Sequence, residues 1–167
     1  CAATSSSLMG ISDKHIANVM KTFTGVEHRL ENVAIIKDVT YINDSKATNL
    51  DSVSVAIQSF NKPVVLILGG RNKGADFRLL LPHIKSSHVR DIISYGEAGG
   101  QISTAIGDAV RSVQVTDLNS AVTTAQRLAA PGDVVLLSPG CASFDQFANF
   151  EERGQYFKTK VMEMMAA

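Results

Sequence analysis

Apolar residues along this chain change their spacing several times, and each change marks an element. Ile16, Val19, Met20 and Phe23 recur at i, i+3, i+4 and i+7 behind Ser12, a residue suited to capping. They predict a helix with one apolar face, stopped by Gly25. From Asn32 the period shortens. Residues 33–36 (VAII) and 39–42 (VTYI) flank Lys37-Asp38 as a β-hairpin or two short paired strands. Residues 63–70 (PVVLILGG) form an unbroken apolar run between Pro and Gly-Gly, which suits a strand buried on both faces. Residues 91–96 and 112–115 repeat the theme weakly, and 133–138 (DVVLLS) strongly. Helical patterns fill the gaps: 49–60, 77–84, 99–106, a helix capped by Asp117 with Leu118, Ala121, Val122 and Ala125 on one face, and 146–165 with Phe150, Phe157, Val161 and Met164 on one side. Strands alternating with helices predict an α/β fold: a Rossmann-like, mostly parallel sheet with helices on both faces, preceded by a helix left over from an upstream domain. In such sheets ligands bind beyond the carboxyl ends of the strands, so the loops that follow strands are where chemistry belongs.

Composition narrows the class. The 167 residues are one domain's worth of chain, 45% hydrophobic and 19% charged, which is globular. Sixteen basic residues balance sixteen acidic ones, which excludes a broadly basic nucleic-acid binder but not a local basic pocket. No apolar run approaches the roughly 20 residues of a membrane helix. Cys1 and Cys141 are far apart without C-x-x-C spacing, which argues for a reducing compartment and against a disulfide scaffold or zinc ribbon. The four histidines have no metal-ligand spacing. The opening CAATSSSLMG has neither the basic region nor the apolar core of a secretory signal. It reads as the middle of a helix belonging to something upstream, or as an ordinary N-terminal helix packed on its own domain.

Three loops carry candidate chemistry. In residues 43–49 (NDSKATN) an Asp and a Lys stand at the mouth of a helix, where a cation beside backbone N–H groups favours phosphate or carboxylate. Thr48-x-x-Asp51 also fits a capping box, which explains Thr48 alone. In residues 69–77 (GGRNKGADF) paired glycines permit close approach, and Arg71 and Lys73 add charge; a glycine turn with solvated charges is the alternative. No Walker A sequence and no G-x-G-x-x-G occur in the chain. In residues 138–147 (SPGCASFDQF) Ser143-x-x-Gln146 is a capping-box pattern at the start of the last helix, a place for a carboxylate. Cys141 reads as a small semi-buried thiol rather than a nucleophile, and Asp145 as a solvated or capping acid.

Taken in order, G-V-E-H-R-L-E (25–31), N-D-S-K-A-T-N (43–49), G-G-R-N-K-G-A-D-F (69–77) and L-L-S-P-G-C-A-S-F-D-Q-F-A-N-F-E-E-R-G (136–154) closely resemble the C-terminal domain of the UDP-N-acetylmuramoyl-L-alanine:D-glutamate ligases of the Mur ligase family. The resemblance runs over residues 1 to about 165. It implies that residues 1–24 are the terminal helix of a central ATP-binding domain and 25–167 the C-terminal domain. It also implies an ATP-dependent, cytoplasmic, amide-forming reaction of peptidoglycan synthesis. ATP phosphorylates the carboxylate of UDP-N-acetylmuramoyl-L-alanine, the amine of D-glutamate attacks the acyl phosphate, and phosphate leaves. Mg2+ and most of the ATP phosphate site belong to the central domain, so the chain alone is expected to be inactive.

By the same resemblance Arg29, Asp44 and Lys46 face ATP, Asp44 toward ribose hydroxyls. Thr48, Lys73, Ser143, Phe144 and Phe150 match positions that hold D-glutamate. A lysine can meet one of its two carboxylates as a point charge. Phe144 stands where the family often has Leu, and Gly140 where it often has Ala. Other expectations remain open beside this one: a stand-alone small-anion or nucleotide-binding module without catalysis, or a sibling ligase for another amino acid.

Overall fold

The computed structural model describes residues 2–23 and 25–166; Cys1 and Thr24 of the leading segment lie outside them, as does Ala167. Two helices lead, α1 (Ala2–Leu8) and α2 (Asp13–Thr22), separated at Gly10 with its φ of 83°. Neither buries a residue, and Val19, Met20 and Phe23 all stand exposed. Ser12 occupies the N-cap of α2, but its hydroxyl bonds the His15 ring at 2.7 Å instead of the backbone.

The hairpin forms as the pattern predicts, with β1 (Glu31–Ile36) antiparallel to β2 (Val39–Asn43). Lys37 and Asp38 take φ of 50° and 63°, the left-handed pair that a two-residue hairpin turn requires. There follow α3 (Leu50–Gln58), β3 (Val64–Gly69), a 3-10 turn (Phe77–Leu80) running into α4 (Leu81–Lys85), β4 (Val89–Tyr95) and α5 (Gly99–Ile106). The chain ends with β5 (Arg111–Gln114), α6 (Leu118–Leu128), β6 (Val134–Gly140) and α7 (Phe150–Ala166). The sheet order is β1-β2-β6-β3-β4-β5, parallel except for β1. The chain walks outward from β3 to β5, then returns to insert β6 between β2 and β3. The loops leaving β2, β6 and β3 therefore share one rim.

Alternation along the buried strands sorts side chains onto two cores. Val64, Leu66 and Leu68 face α3, α4 and α5 with Val53, Ile57, Ile84 and Ile102. Val65 and Ile67 face α6 and α7 with Val122, Ala125, Phe157 and Val161. Every residue of β3 and β6 is buried, as their unbroken apolar runs predict. No helix among the described residues is long and apolar enough to cross a membrane.

Two expected caps are corrected. The last helix begins at Phe150, not Gln146, because Ser143 O accepts from Gln146 N (3.1 Å) and Phe147 N (2.9 Å) and closes a turn instead. Gln146 leaves that turn for α6, accepting from Leu118 N at 3.2 Å and donating to Thr116 O at 3.1 Å. The start of α7 is held by Asn149 and Glu152, which accept from Glu152 N (2.7 Å) and Ala148 N (2.8 Å). At α3 the cap is Asn49, accepting from Ser52 N at 2.9 Å, so Thr48 is not the cap.

Candidate functional site

The loop after β2 is set by its own short polar side chains. Asn43 Oδ1 accepts from Ser45 N at 3.1 Å, and Asp44 N donates to Leu137 O at 2.8 Å, extending the ladder to β6 by one residue. Asp44 is 7% exposed. Its Oδ2 accepts from Ser138 Oγ (2.8 Å) and its Oδ1 from Leu30 N (3.3 Å). Burial pushes its carboxyl above the ordinary value, and those donors with Arg29 only partly offset the rise. Arg29, Leu30, Asp44 and Lys46 line a cavity of about 410 Å³ together with Asp51 and Val55 of α3. The three residues assigned to ATP thus meet in one cavity. Lys46 Nζ also lies 4.2 Å from the centre of the Phe150 ring, a cation–π contact that joins the two groups of assigned residues.

The loop after β3 needs its glycines. A Cβ on Gly70 would lie 2.3 Å from Ala142 O, because Arg71 and Ala142 exchange backbone hydrogen bonds (2.8 and 3.0 Å) across to the loop after β6. Two basic residues occupy this turn with different fates. Arg71 is spent on Glu97 in a bidentate pair, Nε at 2.9 Å and Nη2 at 2.8 Å. Lys73 is exposed, with no carboxylate within 4.0 Å among the described residues. Asn72 shapes the turn around it, accepting from Ala75 N at 2.8 Å.

In the loop after β6, Cys141 is 1% exposed and burial pushes its thiol up to about 12, so it is a packed side chain and not a nucleophile. Asp145 Oδ2 accepts from Glu97 N at 3.2 Å and ties this loop to the end of β4. Ser143 is buried, Phe144 is 60% exposed at the lip, and Phe150 is half-buried beneath Lys46. Gly140 N donates to Ala47 O at 2.9 Å, which fixes the loop bearing Thr48 beside the end of β6. All eight assigned residues lie at or beside the carboxyl rim of β2, β6 and β3.

One residue essential to this arrangement escapes sequence reasoning. Arg153 of α7 has no exposed surface. Its Nε donates to Ser45 Oγ (3.0 Å), Nη2 to Ser45 O (2.8 Å) and Nη1 to Cys141 O (3.1 Å). It therefore stitches the loop after β2 to the loop after β6. The signal was present: Arg153 falls three residues after Phe150 and four before Phe157, a charge on the apolar face of the last helix.

The carboxyl rim of this parallel sheet thus gathers Lys73, with no carboxylate partner among the described residues, a buried Ser143, and a cavity lined by two basic side chains, Arg29 and Lys46, and two acidic ones, Asp44 and Asp51, which defines an α/β domain with a small-molecule-sized polar cavity. Comparison narrows the class, and the chain belongs to the Mur ligase family, whose glutamate ligase domain matches residues 28–141. Relatives named UDP-N-acetylmuramoylalanine--D-glutamate ligase are 43% identical over 165 residues in Salinibacter ruber (98% of this chain, 36% of the relative) and 48% identical over 147 residues in Chlamydia caviae (88% and 35%). The chain thus spans about a third of the length of the curated relatives it matches. Its fold is also that of solved structures of low identity. UDP-N-acetylmuramate-alanine ligase from Thermotoga maritima superposes with a TM-score of 0.70 at 12% identity (98% of this chain, 35% of that one). Bifunctional folylpolyglutamate synthase/dihydrofolate synthase from Yersinia pestis does so with 0.63 at 18% (93% and 35%).

Proposed function

We propose that this chain is the amino-acid- and nucleotide-contacting domain of an ATP-dependent ligase that adds D-glutamate to UDP-N-acetylmuramoyl-L-alanine in peptidoglycan synthesis. The observation that carries the proposal is the shared rim: an unpaired Lys73 and a buried Ser143 on loops adjoining the cavity of Arg29, Asp44 and Lys46. The names of the relatives support the choice of substrates. As a step that consumes ATP, the reaction belongs to the cytoplasm.

In this account ATP transfers its γ-phosphoryl group to the substrate carboxylate, and the acyl phosphate is attacked by the free amine of D-glutamate. The amide bond forms as the bond to phosphate breaks, and the amine's proton is released. Such chemistry asks mainly for alignment and charge neutralisation. Lys73 neutralises one carboxylate of D-glutamate, Ser143 and Thr48 donate to its carboxylates, and Phe144 and Phe150 wall the amino acid in. Arg29 and Lys46 hold charge beside the nucleotide, and Asp44 accepts from ribose. The rim does not fit Mg2+, because Asp44 is engaged by Ser138 and Leu30 while Glu27 and Glu31 share Lys158. The metal is assigned to the remaining length of the protein. The open face of Val19, Met20 and Phe23 supports assigning residues 1–24 to a preceding domain. The chain alone is then inactive.

The test is Lys73→Ala in the enzyme of the relatives' full length. The KM for D-glutamate should rise about tenfold or more, with that for the UDP substrate nearly unchanged. Equal rises in both would overturn the role of Lys73, and preference for another amino acid would overturn the choice of substrate.

A further inference from the structure

We propose that Lys158, on the core-facing side of α7, is a positioning residue for the nucleotide cavity. It touches no part of the cavity and acts by clamping the loop that forms its wall. The proposal rests on the nucleotide assignment of that cavity.

Arg29 sits between two residues in the left-handed region, His28 (φ 63°) and Leu30 (φ 44°), neither of them glycine. Such a backbone persists only where its surroundings over-determine it. Here they do so from α7. Lys158 Nζ bridges Glu27 Oε1 at 2.9 Å and Glu31 Oε1 at 2.7 Å, one carboxylate on each side of the strained residues. The other oxygen of Glu31 accepts from His28 N (3.0 Å) and Asn43 Nδ2 (2.9 Å). Asn43 Nδ2 also reaches His28 Nδ1 at 2.9 Å. The His28 ring packs edge-on to Phe150 and against Gly154, where a Cβ would lie 2.3 Å from its Nδ1.

From this clamped loop two bonds run into the cavity. Lys46 N donates to His28 O at 3.1 Å, and Leu30 N donates to Asp44 Oδ1 at 3.3 Å. Glu27, His28 and Glu31 are close enough together to suggest a metal trio, but the Lys158 ammonium already bridges the two carboxylates. Without Lys158 those carboxylates would face one another uncompensated, and the loop would be free to relax. Arg29 and Asp44 would then lose their fixed relation.

The experiment is Lys158→Met in the enzyme of full length, beside Lys158→Arg and Arg29→Ala. In Lys158→Met the KM for ATP should rise about tenfold, with kcat and the KM for D-glutamate each within about twofold of wild type. Lys158→Arg should restore most of the loss, since a guanidinium can also bridge two carboxylates. Amide hydrogen exchange at residues 28–30 should accelerate in Lys158→Met while the amides of α7 keep their protection. Unchanged exchange at 28–30, or equal rises in both KM values with a fall in Tm, would overturn the clamp. If Arg29→Ala leaves the KM for ATP unchanged, the nucleotide assignment fails instead, and the exchange measurement still decides the clamp. Should Lys158→Met not fold, Glu27→Gln removes one arm of the same bridge from an exposed position and should show smaller changes in the same direction.

Discussion

At the amino ends of the strands, Asp91 is 1% exposed and pairs with Arg90 (2.8 Å) and Arg111, while Asp133 pairs with Arg90 at 2.9 Å. Arg90 also donates to Leu128 O at 2.6 Å. At the carboxyl ends, Asp44 is 7% exposed and Arg153 fully buried, yet among the described residues neither has an opposite charge within 4.0 Å. Neutral groups hold both: a serine hydroxyl and an amide for Asp44, a hydroxyl and two carbonyls for Arg153. Buried charge is costly unless it is paired or fully hydrogen-bonded. One end of the sheet answers that cost by closing its ion pairs on itself. The other answers it with dipoles: Arg153, which has no exposed surface, is met entirely by oxygens of Ser45 and Cys141.

The largest test of this contrast is Arg153→Met. It orphans Ser45 O and Cys141 O in the interior and should cost about 4 kcal/mol of stability by urea unfolding. Asp91→Asn should cost less, about 1–2 kcal/mol, because the side chains of Arg90 and Arg111, 36% and 60% exposed, can turn to water. A greater loss in Asp91→Asn would break the comparison.

The two acids also predict opposite responses to pH. Burial alone raises the Asp91 carboxyl, but hydrogen bonds from Arg111 and Arg90 outweigh it and hold it below its ordinary value of 3.8. The folded state therefore binds fewer protons there. This stability is complete above 3.8 and is lost as pH falls through the lower folded value. Asp44 is raised above 3.8 by burial, so its ionisation costs stability as pH rises through the folded value. Asp91→Asn should flatten the acid limb of stability. Asp44→Asn should raise stability at neutral pH, while impairing nucleotide binding. Acid limbs of equal slope in wild type and Asp91→Asn would contradict this account.

The smallest effect is expected at the hairpin turn, on the amino side of β2 and away from the rim. Replacing Lys37-Asp38 by Asn-Gly relieves two left-handed residues and should add about 0.5–1 kcal/mol, with both KM values unmoved. A changed KM would mean that the two ends of the sheet are coupled.

What the sequence made legible follows the range of the forces involved. β3 and β6 announce themselves because burial on both faces leaves an unbroken apolar run, and the Asp117 cap because its partner, Ser120 N, is three residues away. The three loops were visible as glycine and charge clusters after strands. Sequence spacing misplaced the start of α7, since Gln146 bonds to α6 instead of to Ser143. It did not separate Arg71 from Lys73, because the partner that occupies Arg71 lies 26 residues on. Nor did it expose Arg153, whose contacts with Ser45 span 108 residues.

The most direct measurement is an amide chemical-shift map of this chain titrated separately with ATP and with D-glutamate at millimolar concentration. The account predicts that ATP perturbs Arg29, Asp44 and Lys46, that D-glutamate perturbs Lys73 and Ser143, and that Asp91, Arg111 and Asp133 stay still. Perturbations spread over both ends of the sheet, one common set for both ligands, or none at the rim would contradict it.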